Sequence, residues 1–489
     1  MNNSDLSDLK KKSIKATKWS AITEISAKLS VPLINMILAR LLAPEAFGVV
    51  ATVTMIVSFA DIFTDAGFQK YLIQQEFSSN DEVGQASNVA FWTNLVISLL
   101  LWCTIFTFNE QLASLLGNPG LGMVLVIASF QLPLTSFSSI QSALFKRSLD
   151  FRILFIARII SSCIPFVVTI PFALIGFGYW AIVIGTIVSQ LSTAVILTYN
   201  SSWKPTFYFS LTVFKKMFSF SMWSLFESIS IWLTSWVDVL LISTVLNSHY
   251  VGLYKTSSMM VNGLMTLITS TTVPVLFSVL SRLQNQSDIF TSVFLKAQRL
   301  VAVVVLPLGV GIYLYRDLIT LILLGNKWIE SSDILGQWAL TSAVTIVFGH
   351  ICSEVYRAKG LPKLSFLVQI LHLIVLVPAC IFSLHYGFWV FVYVRSWIRI
   401  QSVVVHFIIM RIKVGIIIST IVKNTFTICT AAFFMGVIGY IINGLHNSTG
   451  WTFFSVSLCA IIYLGILLLF SKTRKDILYA IGLFKSKLS

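Results

Sequence analysis

The chain has 489 residues, of which 56% are hydrophobic and 11% charged, and its mean hydropathy is +0.87. Soluble domains carry roughly a quarter charged residues, so a soluble enzyme or a nucleic-acid-binding module is excluded despite the net charge of +15. The apolar residues form continuous runs of bilayer-crossing length rather than strict alternation, which excludes a β-barrel and predicts an all-α polytopic membrane protein.

The runs give about fourteen spans of crossing length. A basic lead-in, residues 1–18, has no apolar core and reads as a cytoplasmic segment rather than a signal peptide. Spans then follow at 18–42, 46–67, 84–108, 121–143, 153–175 and 178–200. The next six fall at 216–246, 252–279, 297–324, 333–356, 364–385 and 387–410, and a last pair at 416–442 and 451–471. The first two meet at a tight Ala43-Pro44-Glu45 turn. Prolines inside several spans, Pro165, Pro307 and Pro378 among them, predict kinks. The six cysteines lie in apolar runs without metal-ligand spacing and are read as packing residues.

An even number of spans puts both termini on one side. Of the 34 Lys and Arg residues, 25 fall in the termini and the loops on that side. Arg40, Arg316 and Lys327 fall opposite, and six lie within spans. The positive-inside rule then makes both termini cytoplasmic. The weakest loop is 68–83, with Lys70 against Glu76, Asp81 and Glu82.

A diverged repeat runs through the chain. Trp19, Leu42, Gly48, Thr52 and Met55 recur 204 residues later as Trp223, Leu246, Gly252, Thr256 and Met259. At an interval of 211, Phe145-Lys146 matches Tyr356-Arg357, and Gly176-Phe177 matches Gly387-Phe388. The expected organisation is an N-terminal lobe at 1–205, a C-terminal lobe at 206–413, and two extra helices with a basic tail at 414–489. Six helices per half is an even number, so the halves share orientation. Parallel repeats of this kind hold a site at their interface and rock against each other.

Charges inside apolar helices are costly unless they face water, protein or a charged ligand. Span 1 carries Glu24 and Lys28 one turn apart, either neutralising each other or lining a wet cavity. Asp61 and Asp65 end span 2 near the cytoplasm and suit a gate. Arg158 lies in span 5 and Lys255 opens span 8, while Glu227 and Asp238 share a stripe of span 7. Glu354 stands one turn from His350. Arg395, Arg399, Ser402 and His406 form a stripe on span 12. That stripe either contacts an anion, for which the planar guanidinium suits phosphate oxygens, pairs with Glu227, Asp238 or Glu354, or snorkels to the surface. The candidate substrate-contacting residues are therefore Lys28, Arg158, Lys255, Arg395 and Arg399. The candidate ion-coupling or gating residues are Glu24, Asp61, Asp65, Glu227, Asp238 and Glu354. No catalytic or metal-ligating set emerges, since Walker A, HExxH and GxSxG patterns are absent.

The stretch LARLLAPEAFGVVA (Leu38 to Ala51), followed by FADIFTDAGF (Phe59 to Phe68), resembles the opening signature of the polysaccharide transporter family. These are Wzx-type flippases of the MOP superfamily, which also contains the MATE exporters and the MurJ flippases. The sharpest matches are Arg40, Pro44, Glu45, Phe47, Gly48, Asp65 and Gly67, in a pattern like that of the exopolysaccharide and colanic-acid subset. The resemblance implies two six-helix lobes in a V around a central cavity. It implies translocation of an undecaprenyl-diphosphate-linked oligosaccharide to the periplasmic leaflet of the bacterial inner membrane, with no enzymatic step and no cofactor. A polysaccharide polymerase and chain-length machinery are the implied protein partners of a monomeric transporter, and membrane lipid surrounds it. Coupling to a proton or sodium gradient is left open. The other reading is a MATE-like ion-coupled exporter of small molecules, which would favour an acidic cavity over this basic one.

Overall fold

The computed structural model describes residues 30–65, 67–446, 448–471 and 473–474. Glu24, Lys28 and the side chain of Asp65 lie outside the described residues. The described part is helical, and eleven of its helices are long and apolar enough to cross a membrane. This is a multi-pass membrane protein. The chain divides by proximity into two compact units, one ending at Lys255 and the other starting at Thr256.

The first unit contains α1 (Ser30–Leu41), α2 (Pro44–Asp65), α3 (Phe68–Gln74) and α4 (Asn80–Thr107). Next come α5 (Asn109–Leu115), α6 (Gly122–Ser129), α7 (Gln131–Arg147), α8 (Phe151–Ile164) and α9 (Ile170–Leu174). It closes with α10 (Tyr179–Asn200), α11 (Leu211–Val245) and the opening turns of α12 (Ser248–Arg282). Pro44 starts α2, where a missing N–H costs nothing, and Glu45 lies in the first turn beside the positive end of the helix dipole. Gly67 has φ 79°, a left-handed conformation that glycine adopts without strain, and so turns the chain into α3. Pro165 opens a π-helical turn at Pro165–Thr169, joining α8 to α9 as one span. The widened turn accommodates a ring that would clash with a regular helix.

Two of the buried clusters among the described residues show how this unit is held together. Val49, Val53 and Val57 of α2 pack with Ile105, Leu125, Leu132 and Val183. At the other end Phe68 and Leu72 of α3 pack with Val89 and Phe91 of α4, Ile140 of α7 and Met217 of α11. The opening helix of the second repeat thus packs into the first unit. The repeat boundary at 205/206 and the spatial boundary inside α12 mark different features of the chain.

The second unit holds the rest of α12, α13 (Ser287–Leu314), α14 (Arg316–Leu323), α15 (Ser332–Thr345) and α16 (Ile351–Ala358). Then come α17 (Pro362–Leu384), α18 (Phe388–Trp397), α19 (Arg399–Ile409), α20 (Ile418–Asn443) and α21 (Thr449–Leu469). A π-helical turn at Ile346–His350 joins α15 to α16 within one span. Pro307 and Pro378 lie inside α13 and α17 without ending them. The α20–α21 hairpin is fastened by polar contacts. Asn424 Nδ2 donates to the Leu295 carbonyl (2.8 Å), Tyr463 to the Val303 carbonyl (2.9 Å), and the Tyr315 hydroxyl lies 2.7 Å from that of Ser455. Cys352, Cys380 and Cys459 are buried as expected of packing residues, whereas Cys103 and Cys163 sit on exposed faces.

Three expected spans are not among the eleven. Only the end of 18–42 is described, as α1. The span at 252–279 is α12, which is rich in Ser and Thr. The span at 387–410 breaks at Ile398 into α18 and α19. These three carry Lys28, Lys255, Arg395 and Arg399, four of the five candidate substrate-contacting residues. A helix whose surface meets water or a polar ligand is under no pressure to be uniformly apolar.

Candidate functional site

In the second unit, Trp338, Ser342 and Thr345 fall at i, i+4 and i+7 on α15, hence on one face. Across from them stand Arg395, near the end of α18, and Arg399, at the start of α19. Both guanidiniums lie over the Trp338 ring, Arg395 at 5.0 Å and Arg399 at 4.3 Å from its centroid. An indole face attracts cations through its quadrupole, so one ring steadies two like charges a turn apart. Arg399 also donates to the Ser342 hydroxyl (2.8 Å) and the Thr345 hydroxyl (3.4 Å). Trp338 Nε1 donates to Asn262 Oδ1 (3.0 Å), which fixes the ring. Alongside, Trp397 Nε1 donates to Gln337 (2.9 Å), and the His372 ring lies 3.2 Å from Gln401 Oε1. Arg395 is buried, only 4% exposed. The cluster joins two fixed positive charges, an aromatic plane and several hydroxyl and amide groups within apolar helices. That combination can bind a desolvated anion and hydrogen-bond a polar headgroup.

Each carboxylate weighed as a partner for this stripe has a contact within its own unit. Glu354 pairs with Arg357 on its own helix (3.2 Å), not with His350. In the first unit, Glu227 on α11 pairs with Lys70 of α3 (3.5 Å), and both are about half exposed. Asp238, buried on α11, accepts from the Tyr254 hydroxyl (2.7 Å) and from the backbone N–H of Val239 (2.8 Å). Glu227 and Asp238 lie at i and i+11 of one unbroken helix, where Glu227 meets Lys70 of α3 and Asp238 meets Tyr254 of α12.

Lys255 stands one residue beyond Tyr254. Its ammonium lies 3.7 Å from the Trp236 ring centroid and donates to the Ser235 carbonyl (3.0 Å). A cation over an indole thus recurs in this unit. Arg158 is exposed on α8, seven residues into its span, from which its long side chain can snorkel. Among the described residues, the structure does not bring it beside the other candidates of its unit. Asp61 accepts from the Thr64 hydroxyl (2.9 Å) on its own helix.

At the Pro44–Glu45 turn, Glu45 Oε1 lies 2.7 Å from His249 Nδ1. One turn on, a Cβ on Gly48 would strike the backbone of Ser248, and one on Gly252 would strike that of Pro44. In this crossing of α2 and α12, Glu45 meets its repeat mate His249 and Gly48 meets its repeat mate Gly252, 204 residues away, while the contact of Gly48 with Ser248 is repeated as that of Gly252 with Pro44. Pro44 matches Ser248, Glu45 matches His249, and Gly48 matches Gly252. Such self-complementary contacts are what a two-fold relation produces.

Sequence reasoning missed Trp338, Trp236, Tyr254 and His249. The Trp338–Ser342–Thr345 spacing was a usable signal, and so was the repeat interval for His249.

The family model for "Polysaccharide biosynthesis protein" matches residues 37–333. The chain is 28% identical over 308 residues to the succinoglycan biosynthesis transport protein ExoT of Rhizobium meliloti. That alignment covers 63% of this chain and 62% of ExoT, so the chain spans less than two thirds of that relative. It is 20% identical over 387 residues to the lipopolysaccharide biosynthesis protein WzxC of Escherichia coli, covering 76% of this chain and 75% of that one. Among solved structures, the lipid II flippase MurJ in an inward closed conformation matches with a TM-score of 0.76 at 15% identity, covering 92% of this chain and 98% of MurJ. That likeness concerns the fold. With the family model spanning more than half of its length, this multi-pass chain belongs to the polysaccharide biosynthesis protein family.

Proposed function

We propose that the protein is a flippase that carries an undecaprenyl-diphosphate-linked oligosaccharide from the cytoplasmic to the periplasmic leaflet of a bacterial inner membrane. The observation that carries this reading is the pair of guanidiniums, Arg395 and Arg399, laid on one indole inside apolar helices. Arg395 is buried and Arg399 half-buried, and a diphosphate offers oxygens suited to the planar guanidinium fork of each. The relatives' names, succinoglycan transport and lipopolysaccharide biosynthesis, point to the same substrate class.

In this reading the three helices absent from the eleven apolar spans are also transmembrane, which makes fourteen. Two six-helix lobes rock about the axis that relates the repeats. The headgroup enters from the cytoplasmic side, and Arg395, Arg399, Lys255 and Lys28 replace its lost hydration while the prenyl tail stays in lipid. The crossing at Gly48 and Gly252 is the outer closure, which must part for release. Glu24, Asp238 and Glu227 are the groups through which a proton or sodium gradient would reset the cycle. No chemical step is required of any residue, and both termini remain cytoplasmic.

Glycan export in cells, restored by wild type in a flippase-deficient strain, tests the reading. Arg395→Ala and Arg399→Ala, matched for membrane insertion, should each reduce export at least tenfold. Full export by the double variant would contradict an anion-binding role.

A further inference from the structure

The ten residues that connect the two repeat halves, Ser201 to Ser210, do not hang free. They are zipped along α4. The Asn88 side chain grips Thr206 on both sides, donating to its hydroxyl (2.7 Å) and accepting from its backbone N–H (3.0 Å). Trp92 Nε1 donates to the Thr206 carbonyl (2.8 Å), and the Tyr208 hydroxyl donates to Gln85 (3.2 Å). Gln85, Asn88 and Trp92 fall at i, i+3 and i+7, one face of α4. The Trp92 and Phe207 rings stack at 4.6 Å.

The strap's other side is apolar and basic. Phe207 is 93% exposed and Tyr199 84%, and Phe209, Leu211 and Phe218 are exposed as well. Lys204, Lys215 and Lys216 are exposed among them, and the Lys204 ammonium caps the end of α10 by donating to the Thr198 and Tyr199 carbonyls. Depth follows from helix length. The 28 residues of α4 make about 42 Å of helix against a hydrocarbon core of about 30 Å. The surplus of about 12 Å, roughly eight residues, matches the polar opening Asn80 to Ser87, which puts Asn88 near the boundary and Trp92 about one turn inside it. Likewise α11 begins at Leu211, and Lys215 and Lys216 lie in its first two turns. Aromatic rings and lysines at this level are the side chains that membrane interfaces favour.

We propose that this strap is a lipid-binding element. Phe207 and Phe209 enter the headgroup boundary of the cytoplasmic leaflet, and Lys204, Lys215 and Lys216 bind acidic phospholipid headgroups there. Two features select lipid over a protein partner. The exposed face is continuous at both ends with membrane-crossing helices, and its lysines complement the negative charge of that leaflet. The connection between the halves is then an anchored strap, and relative motion is taken up beyond its ends. The proposal rests on the multi-pass, cytoplasmic-terminus reading and on no property of the substrate.

The test uses the full chain, with its six cysteines replaced, in phosphatidylcholine vesicles with and without phosphatidylglycerol. Spin labels are placed at Phe207→Cys, at Phe209→Cys as a second site that spares the Trp92 stack, and at Glu76→Cys as an aqueous reference. Collision with oxygen should exceed collision with a water-soluble nickel complex at 207 and 209, and the reverse should hold at 76. Phosphatidylglycerol should shift both strap sites deeper, and a Lys204→Gln, Lys215→Gln, Lys216→Gln variant should lose that shift. Nickel accessibility at 207 and 209 equal to that at 76 would overturn the proposal. A lipid-like signal indifferent to phosphatidylglycerol would overturn the assignment of acidic lipid. Neither result depends on transport, so a failure here is distinguishable from a failure of the flippase reading.

Discussion

Glu45 Oε1 stands 2.7 Å from His249 Nδ1, and the two positions are 204 residues apart, the interval that also separates Gly48 from Gly252. The crossing of α2 and α12 therefore joins equivalent positions of the two repeats. Close backbone approach holds it more firmly than charge does. The Glu45–His249 contact is partly exposed, Glu45 by 53% and His249 by 28%, and even a charged pair so exposed contributes only about 0–1 kcal/mol. A side chain at Gly48 would collide with the backbone of α12, and overpacking of this kind costs about 1–3 kcal/mol or more. Thermal unfolding in detergent should show a small loss for His249→Ala and a larger one for Gly48→Leu. Equal losses would mean that charge, not approach, organises the crossing.

A second outcome concerns the aromatic that carries both arginines. Cation–π contacts are worth about 0.5–2 kcal/mol, increasing with desolvation. Trp338→Phe keeps a ring but loses the N–H to Asn262, and Trp338→Leu loses both. Export at matched expression should fall in the order Trp, Phe, Leu. A Leu variant as active as Phe would remove the indole from the account.

Arg399 and a lysine in its place are not equivalent. The guanidinium spans the Ser342 and Thr345 hydroxyls, whereas an ammonium is a point charge without the planar fork. Losing one charge-assisted hydrogen bond costs about 1.5–3 kcal/mol, so Arg399→Lys should lower the export rate roughly tenfold while leaving protein levels intact. Wild-type rates with lysine would reduce the requirement to charge alone.

The C-terminal hairpin supplies a stability test. Asn424 meets both the Leu295 carbonyl and the Arg299 guanidinium (2.9 Å), while the Tyr463 hydroxyl makes one bond to Val303. Interhelical hydrogen bonds in membranes average about 0.6 kcal/mol. Tyr463→Phe should therefore cost little, and Asn424→Ala about twice as much, as read from unfolding midpoints.

Helix ends marked by Gly or Pro were legible in the sequence. The run at 178–200 appears as Tyr179–Asn200 after Gly178, and that at 364–385 as Pro362–Leu384. The π-helical turns at 346–350 and 410–414 and the break at Ile398 were not, because each depends on packing rather than on a breaker residue. The site divided in the same way. Arg395 and Arg399 stood out because charge in an apolar run is conspicuous from composition alone. Trp338 did not, because a tryptophan in a membrane helix is ordinary until another helix lays a guanidinium on it. The different partners of Glu227 and Asp238, Lys70 and Tyr254, were equally hidden, since they depend on which helices pack against α11.

The most direct test of the central claim is translocation by the purified protein in vesicles. The readout is how much of a fluorescent undecaprenyl-diphosphate-linked glycan becomes accessible to an external glycosidase. Wild type should move the lipid, and the Arg395→Ala, Arg399→Ala double variant should fall to the rate of protein-free vesicles while retaining its unfolding midpoint. Translocation by that variant at the wild-type rate would contradict the assignment of the diphosphate to the arginine pair.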